Sequence, residues 1–168
     1  LAMNGIHFIE VFEWLCAERI EEVFGDVWPQ RHQNPRGAQF QDHQGVLMAW
    51  TRSKRRLHLD CAYDMGHGIS LAFGFERGKV VWDELSGRGF SWHRKQNNST
   101  LPSCRYATPY EFRESDFQVE DLNAGTRRIL SALSVEEGYP TVRDSESAMI
   151  ALVEGNRSTE LGGLKMGT

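Results

Sequence analysis

The stretch from Gly45 to Tyr63, G-V-L-M-A-W-T-R-S-K-R-R-L-H-L-D-C-A-Y, reads as two strands joined by a tight turn. Its first part, Gly45 to Thr51, is an apolar run. Arg56 to Asp60 alternates polar with apolar residues, as a strand with one wet and one dry face does. The basic cluster Arg52, Lys54, Arg55 and Arg56 lies between the runs, where charges collect at a solvated loop tip. So short a connection has no room for a crossover helix, so neighbouring strands are for the most part expected to pair antiparallel.

The same pattern extends outward. Upstream, Glu22 to Trp28 is a strand-like run that stops at Pro29, and Gln30 to Gln44 reads as a long polar loop. Downstream come Ile69 to Phe75, Lys79 to Glu84 and Phe90 to Arg94, with Arg77-Gly78 marking a turn. Helical spacing appears only at the two ends. From Gly5 to Ala17 the apolar residues Phe8, Ile9, Val11, Phe12, Leu15 and Cys16 recur at three and four, with Glu10 and Glu13 as a polar stripe and Asn4 as N-cap. Phe117 to Leu133 and Asp144 to Arg157 read as two more helices, the last capped by Asp144 or Ser145. The polar stretch Gln96 to Ser103 reads as a loop, and Leu161 to Thr168 has room for a short final strand. The expected architecture is α+β: a mostly antiparallel, open-faced sheet of about five to seven strands with helices on one face, all in one domain over residues 1–168.

Composition narrows the function. The 168 residues are 40% hydrophobic and 25% charged, the balance of an ordinary globular protein. A net charge of −4 argues against general nucleic-acid binding, which needs a positive field to displace counterions from phosphates. Cys16, Cys61 and Cys104 are odd in number and widely spaced, which favours neither a disulfide framework nor a zinc site and suggests a reducing, cytoplasmic setting. No apolar run reaches the ~20 residues that a membrane span requires, so no membrane partner is expected.

No G-x-G-x-x-G, Walker-type loop or G-x-S-x-G elbow occurs. Chemistry must therefore come from isolated side chains or a partner. His32 and His43 fall in the polar loop, His67 lies beside glycines, and His58 and His93 sit on strands; all read as surface residues. His7 differs, because it lies in the first turn of the first helix, three residues before Glu10, and so shares a face with a carboxylate. Such a partner holds the imidazole in one tautomer, and a neutral imidazole is what a general base requires. The other reading is a helix-end histidine satisfied by Asn4 or water.

The segment M-N-G-I-H-F-I-E-V-F-E-W-L, from Met3 to Leu15, resembles the D-x-G-x-H-x-x-D-x-x-x-W-L stretch that opens the C-terminal domain of the glucose–fructose oxidoreductase, inositol dehydrogenase and rhizopine-catabolism family (Gfo/Idh/MocA). Gly5, His7, Trp14 and Leu15 match, while Met3 and Glu10 stand where the family has aspartates. The later order is similar too, through G-K-V-V-W-D (Gly78–Asp83) to the closing D-S-E-S-A-M-I-A-L-V-E-G-N-R-S (Asp144–Ser158) and Leu161 to Met166. The resemblance implies a dihydrodipicolinate-reductase-like C-terminal domain for substrate binding and oligomerisation. It implies NAD or NADP held on an N-terminal Rossmann domain outside this chain, with none expected on the chain alone, which is then inactive. It further implies hydride exchange with a sugar, cyclitol or related polyol, His7 as catalytic proton donor or acceptor, Asn4 and Glu10 as substrate contacts, and a homo-oligomer formed through the open sheet face. A non-catalytic carbohydrate- or protein-binding scaffold on the same fold, with His7 structural, is the alternative.

Overall fold

A computed structural model describes residues 2–29, 34, 37–40, 42–62, 68–94, 110–116, 122–135 and 141–168. His32, His67, Cys104 and the Gln96–Ser103 loop lie outside them. The described elements run α1 (Ala2–Cys16), β1 (Ile20–Pro29), β2 (His43–Thr51), β3 (Arg56–Cys61), β4 (Ser70–Phe75), β5 (Gly78–Asp83), β6 (Arg88–Arg94), β7 (Tyr110–Asp116), α2 (Leu122–Val135), α3 (Val142–Glu160) and β8 (Met166–Gly167). All strand pairs are antiparallel, and the class is α+β. The strands divide into two sheets of four, ordered β3-β2-β1-β8 and β4-β5-β6-β7. These fall in two compact units, Leu1–Asp64 with Glu137–Thr168, and Met65–Glu136.

In the first unit, α1 and α3 cover one face of the sheet. Val23 and Val27 on β1, Leu47 and Ala49 on β2, and Leu59 on β3 point into that layer, where they meet Ile9 of α1 and Ala148, Ala151 and Leu152 of α3. Fully burying a side chain such as Ile9, Val23 or Leu47 contributes about 1.5–3 kcal/mol each. Ile20 joins them only because the register shifts between Ile20 and Glu22; the extra residue rephases the strand, so Ile20 turns inward with Val23.

Helix α3 approaches β1 closely at a pair of glycines. A Cβ on Gly25 would run into the carbonyl of Gly155, and one on Gly155 would press on Leu47. That proximity lets α3 serve the strand edge. β8 pairs with β1 only at Glu22 and Val23, and farther along the Gly25 N–H donates to Ser158 Oγ (3.1 Å) and the Val27 N–H to Thr159 Oγ1 (3.0 Å). Backbone donors on a buried strand edge need such partners.

The second unit is a meander. On one face of its sheet Phe90, Trp92 and Phe112 form an aromatic row, with centroids 5.4 to 6.4 Å apart. Lys79 lies 5.3 Å from the Trp92 ring, Arg88 5.5 Å from Phe90 and Arg94 5.8 Å from Tyr110.

Strands β1 to β6, helices α1 and α3 and the short final strand fall where the sequence places them. Several details differ. The one expected sheet is two. Strand β7 was not anticipated, since its seven residues are all exposed and carry no buried alternation. α2 is described from Leu122, and Phe117 lies outside the described residues. Helix α1 is already formed at Ala2, so Asn4 is inside it rather than its N-cap, and His7 sits a turn deeper than expected. The cap of α3 is Thr141, not Asp144 or Ser145: the Asp144 carboxylate reaches back to accept the Thr141 N–H (2.6 Å) and hydroxyl (2.8 Å). His43 opens β2 rather than lying in the loop.

Candidate functional site

Helix α1 is apolar on two faces. Ile9 is sealed in the core, with Ile6, Phe8 and Phe12 packed against it. Asn4, His7, Val11 and Trp14 recur at three and four along the opposite, exposed side, with Leu15 at its margin. Trp14 is 79% exposed and the His7 side chain 72%. A helix with large apolar residues on both faces has one face more than a solvated helix needs. His7 therefore sits in an exposed apolar stripe.

Glu10 backs His7 from the side of α3. One carboxylate oxygen lies 3.7 Å from His7 Nδ1, and the other accepts the Ser145 hydroxyl at 2.5 Å. A turn further on, Glu13 is only 9% exposed, so it does not belong to a solvated polar stripe. Its carboxylate accepts the Ile20 N–H (2.8 Å) and the Ser147 hydroxyl (2.5 Å), and Arg19 approaches to 3.9 Å. Glu13 thus ties α1 to β1 and α3, a buried charge made tolerable by its partners. Of the three candidates, His7 and Glu10 are brought together, while Asn4 lies one turn back on the exposed stripe. Met3 is in α1, and its side chain is outside what the structure describes.

Two members of the basic cluster are paired locally. Lys54 binds Glu22 (3.2 Å), and Arg55 donates to the Cys16 carbonyl and pairs with Glu18 (3.8 Å), which closes the β2–β3 turn against the end of α1. Hydroxyls of Thr51 and Ser53 hold the Glu18 carboxyl below the usual range, as Lys165 and Lys54 do for Glu22. Cys16 and Cys61 are free, and burial pushes both thiols up. Among the described residues no group of His, Cys, Asp and Glu could hold a metal, and no helix is long and apolar enough to cross a membrane.

Sequence reasoning missed Ser145, the burial of Glu13, and the exposed side of α1. The last was readable: 4, 7, 11, 14 is a helical stripe, but a helix was expected to bury only one.

No family profile and no curated protein matches the sequence. Solved structures do match. The chain aligns over 98% of its length with an aldose–aldose oxidoreductase from Caulobacter crescentus solved with glycerol (15% identity, TM-score 0.63). It aligns over the same share with an inositol dehydrogenase homolog from Azotobacter vinelandii solved with NADH and myo-inositol (14%, 0.59). A proposed NADPH-dependent oxidoreductase from Desulfitobacterium hafniense gives 10% and 0.66, again over 98% of the chain. In each case the chain spans 46–48% of the neighbour. The chain thus shares the fold of about half of each neighbour. At these identities the likeness shows the fold alone.

Proposed function

We propose that this chain is the substrate-side half of an NAD(P)-dependent oxidoreductase acting on a sugar, cyclitol or related polyol, with His7 as the group that takes or gives the hydroxyl proton. The observation that carries the reading is the exposed face of α1, where a histidine backed by a carboxylate stands among large apolar side chains. Such a face suits a second protein surface that excludes water around a proton-transferring imidazole. We assign that surface to a dinucleotide-binding domain, consistent with neighbours about twice this chain's length.

The sequence has no G-x-G-x-x-G, and among the described residues no Gly-rich turn leads into a helix N-terminus, so those residues do not fit the cofactor's phosphates. The nucleotide, bound on the other domain, supplies hydride exchange at the substrate carbon. What this half supplies is the proton path and the substrate's orientation: His7 accepts the hydroxyl proton as the carbonyl forms, or returns it in the reverse direction, and Asn4 and Glu10 bind neighbouring hydroxyls. We further assign the row Phe90, Trp92 and Phe112 to self-association, because aromatic and cationic side chains together are typical of protein interfaces. Free thiols at Cys16 and Cys61 suit a reducing, cytoplasmic compartment.

The reading is tested by assaying the full-length protein that carries this chain with NAD and NADP against a panel of polyols and aldoses. Nucleotide-dependent turnover of at least one is expected. Carbohydrate binding without turnover by either nucleotide would favour the scaffold alternative.

A further inference from the structure

Ser145 comes from α3 yet reaches the pair on α1. Its hydroxyl donates to one oxygen of Glu10 at 2.5 Å, while the other oxygen of the same carboxylate faces His7 Nδ1 at 3.7 Å. The two oxygens of Glu10 are thus divided between a fixed donor and the imidazole. Ser145 is a firm anchor, because a turn beyond it Ala148, and then Ala151 and Leu152, lock α3 into the core. Without an anchor, a half-exposed glutamate on a helix surface has three side-chain torsions to explore, and its direction is set by nothing else in the described contacts.

We infer that Ser145 is a positioning residue for His7. Its hydroxyl pins Glu10 so that the free oxygen takes the Nδ1–H of the neutral imidazole and leaves the Nε2 lone pair outward, where a substrate hydroxyl proton is received. The 3.7 Å separation is longer than a hydrogen bond, and contacts of this kind shorten when an active site closes around its ligand. This role rests on His7 being the proton acceptor, but the Ser145–Glu10–His7 coupling is measurable without catalysis.

Nitrogen-15 spectra of the imidazole of His7, recorded on this chain above the range where histidines are charged and assigned with His7→Gln, report which ring nitrogen carries the proton. Wild type is expected to favour Nδ1–H, the reverse of an isolated histidine side chain. Ser145→Ala should shift the ratio toward Nε2–H by about two- to fivefold, the bias that one partly exposed hydrogen bond to a carboxylate can supply. Ser145→Thr, which keeps the hydroxyl, should restore it. Alanine suits a helix, so a fold change is not expected, and the melting curve checks this. An unchanged tautomer ratio in Ser145→Ala overturns the inference. A shifted ratio that leaves turnover of the full-length enzyme untouched upholds the coupling and overturns its part in proton transfer.

Discussion

The two units dispose of their apolar residues in opposite ways. Val23, Leu47 and Ala49 are sealed beneath α1 and α3, whereas Phe90, Trp92 and Phe112 lie in an accessible row. Among the described residues of the second unit only Gly87 and Gly89 are buried. A sheet covered by its own helices holds itself together; a sheet whose aromatic side chains remain accessible has side chains to offer a partner. The same contrast recurs within α1, sealed on the Ile9 side and open along His7, Val11 and Trp14.

The contrast breaks most sharply under truncation. Leu47→Ala should cost about 2–5 kcal/mol of unfolding free energy in urea titrations, as a cavity opens under α3. Trp92→Ala should cost less than Leu47→Ala, because Trp92 is only partly buried, and should weaken the proposed self-association in sedimentation velocity. Equal losses of stability with unaltered sedimentation would remove the distinction between the sheets.

Next in size is Glu13→Ala. It strands the Ile20 N–H and the Ser147 hydroxyl, and thermal unfolding should register about 1–3 kcal/mol. A change within error would return Glu13 to the polar stripe the sequence suggested.

Smaller still is the acid response of the first unit. Glu18, Glu22 and Asp144 all hold their carboxyls below the ordinary range, Asp144 through the backbone N–H and hydroxyl of Thr141. Depressed folded values mean that the unfolded chain binds protons first. The stability they contribute is therefore present above the ordinary carboxylate range and lost as pH falls through the folded values. Asp144→Asn should flatten part of that acid limb in melting temperature against pH, and an unchanged limb would exclude it from the effect.

The pattern of legibility follows from what is local. Arg56 to Asp60 alternates because one face is buried, and α1 and α3 show helical spacing because Ile9 and Ala148 seek the core. Strand β7 is exposed throughout, so no burial pattern marked it. Division into two sheets comes where β3 and β4, consecutive in the chain, do not pair, and nothing within either strand's own pattern marks that break. His7 and Glu10 were legible as a pair because three residues on a helix make neighbours. Ser145 was not, because only folding brings α3 beside α1, 135 positions away in sequence.

The role proposed for His7 is tested most directly by His7→Ala in the full-length protein, assayed on whichever polyol or aldose supports the proposed activity. The side chain is mostly in water, so folding and melting should be unaltered. Turnover should fall about a hundredfold to ten-thousandfold, the contribution of a positioned acid–base group. Undiminished turnover would contradict the assignment and leave this exposed histidine without a part in the chemistry.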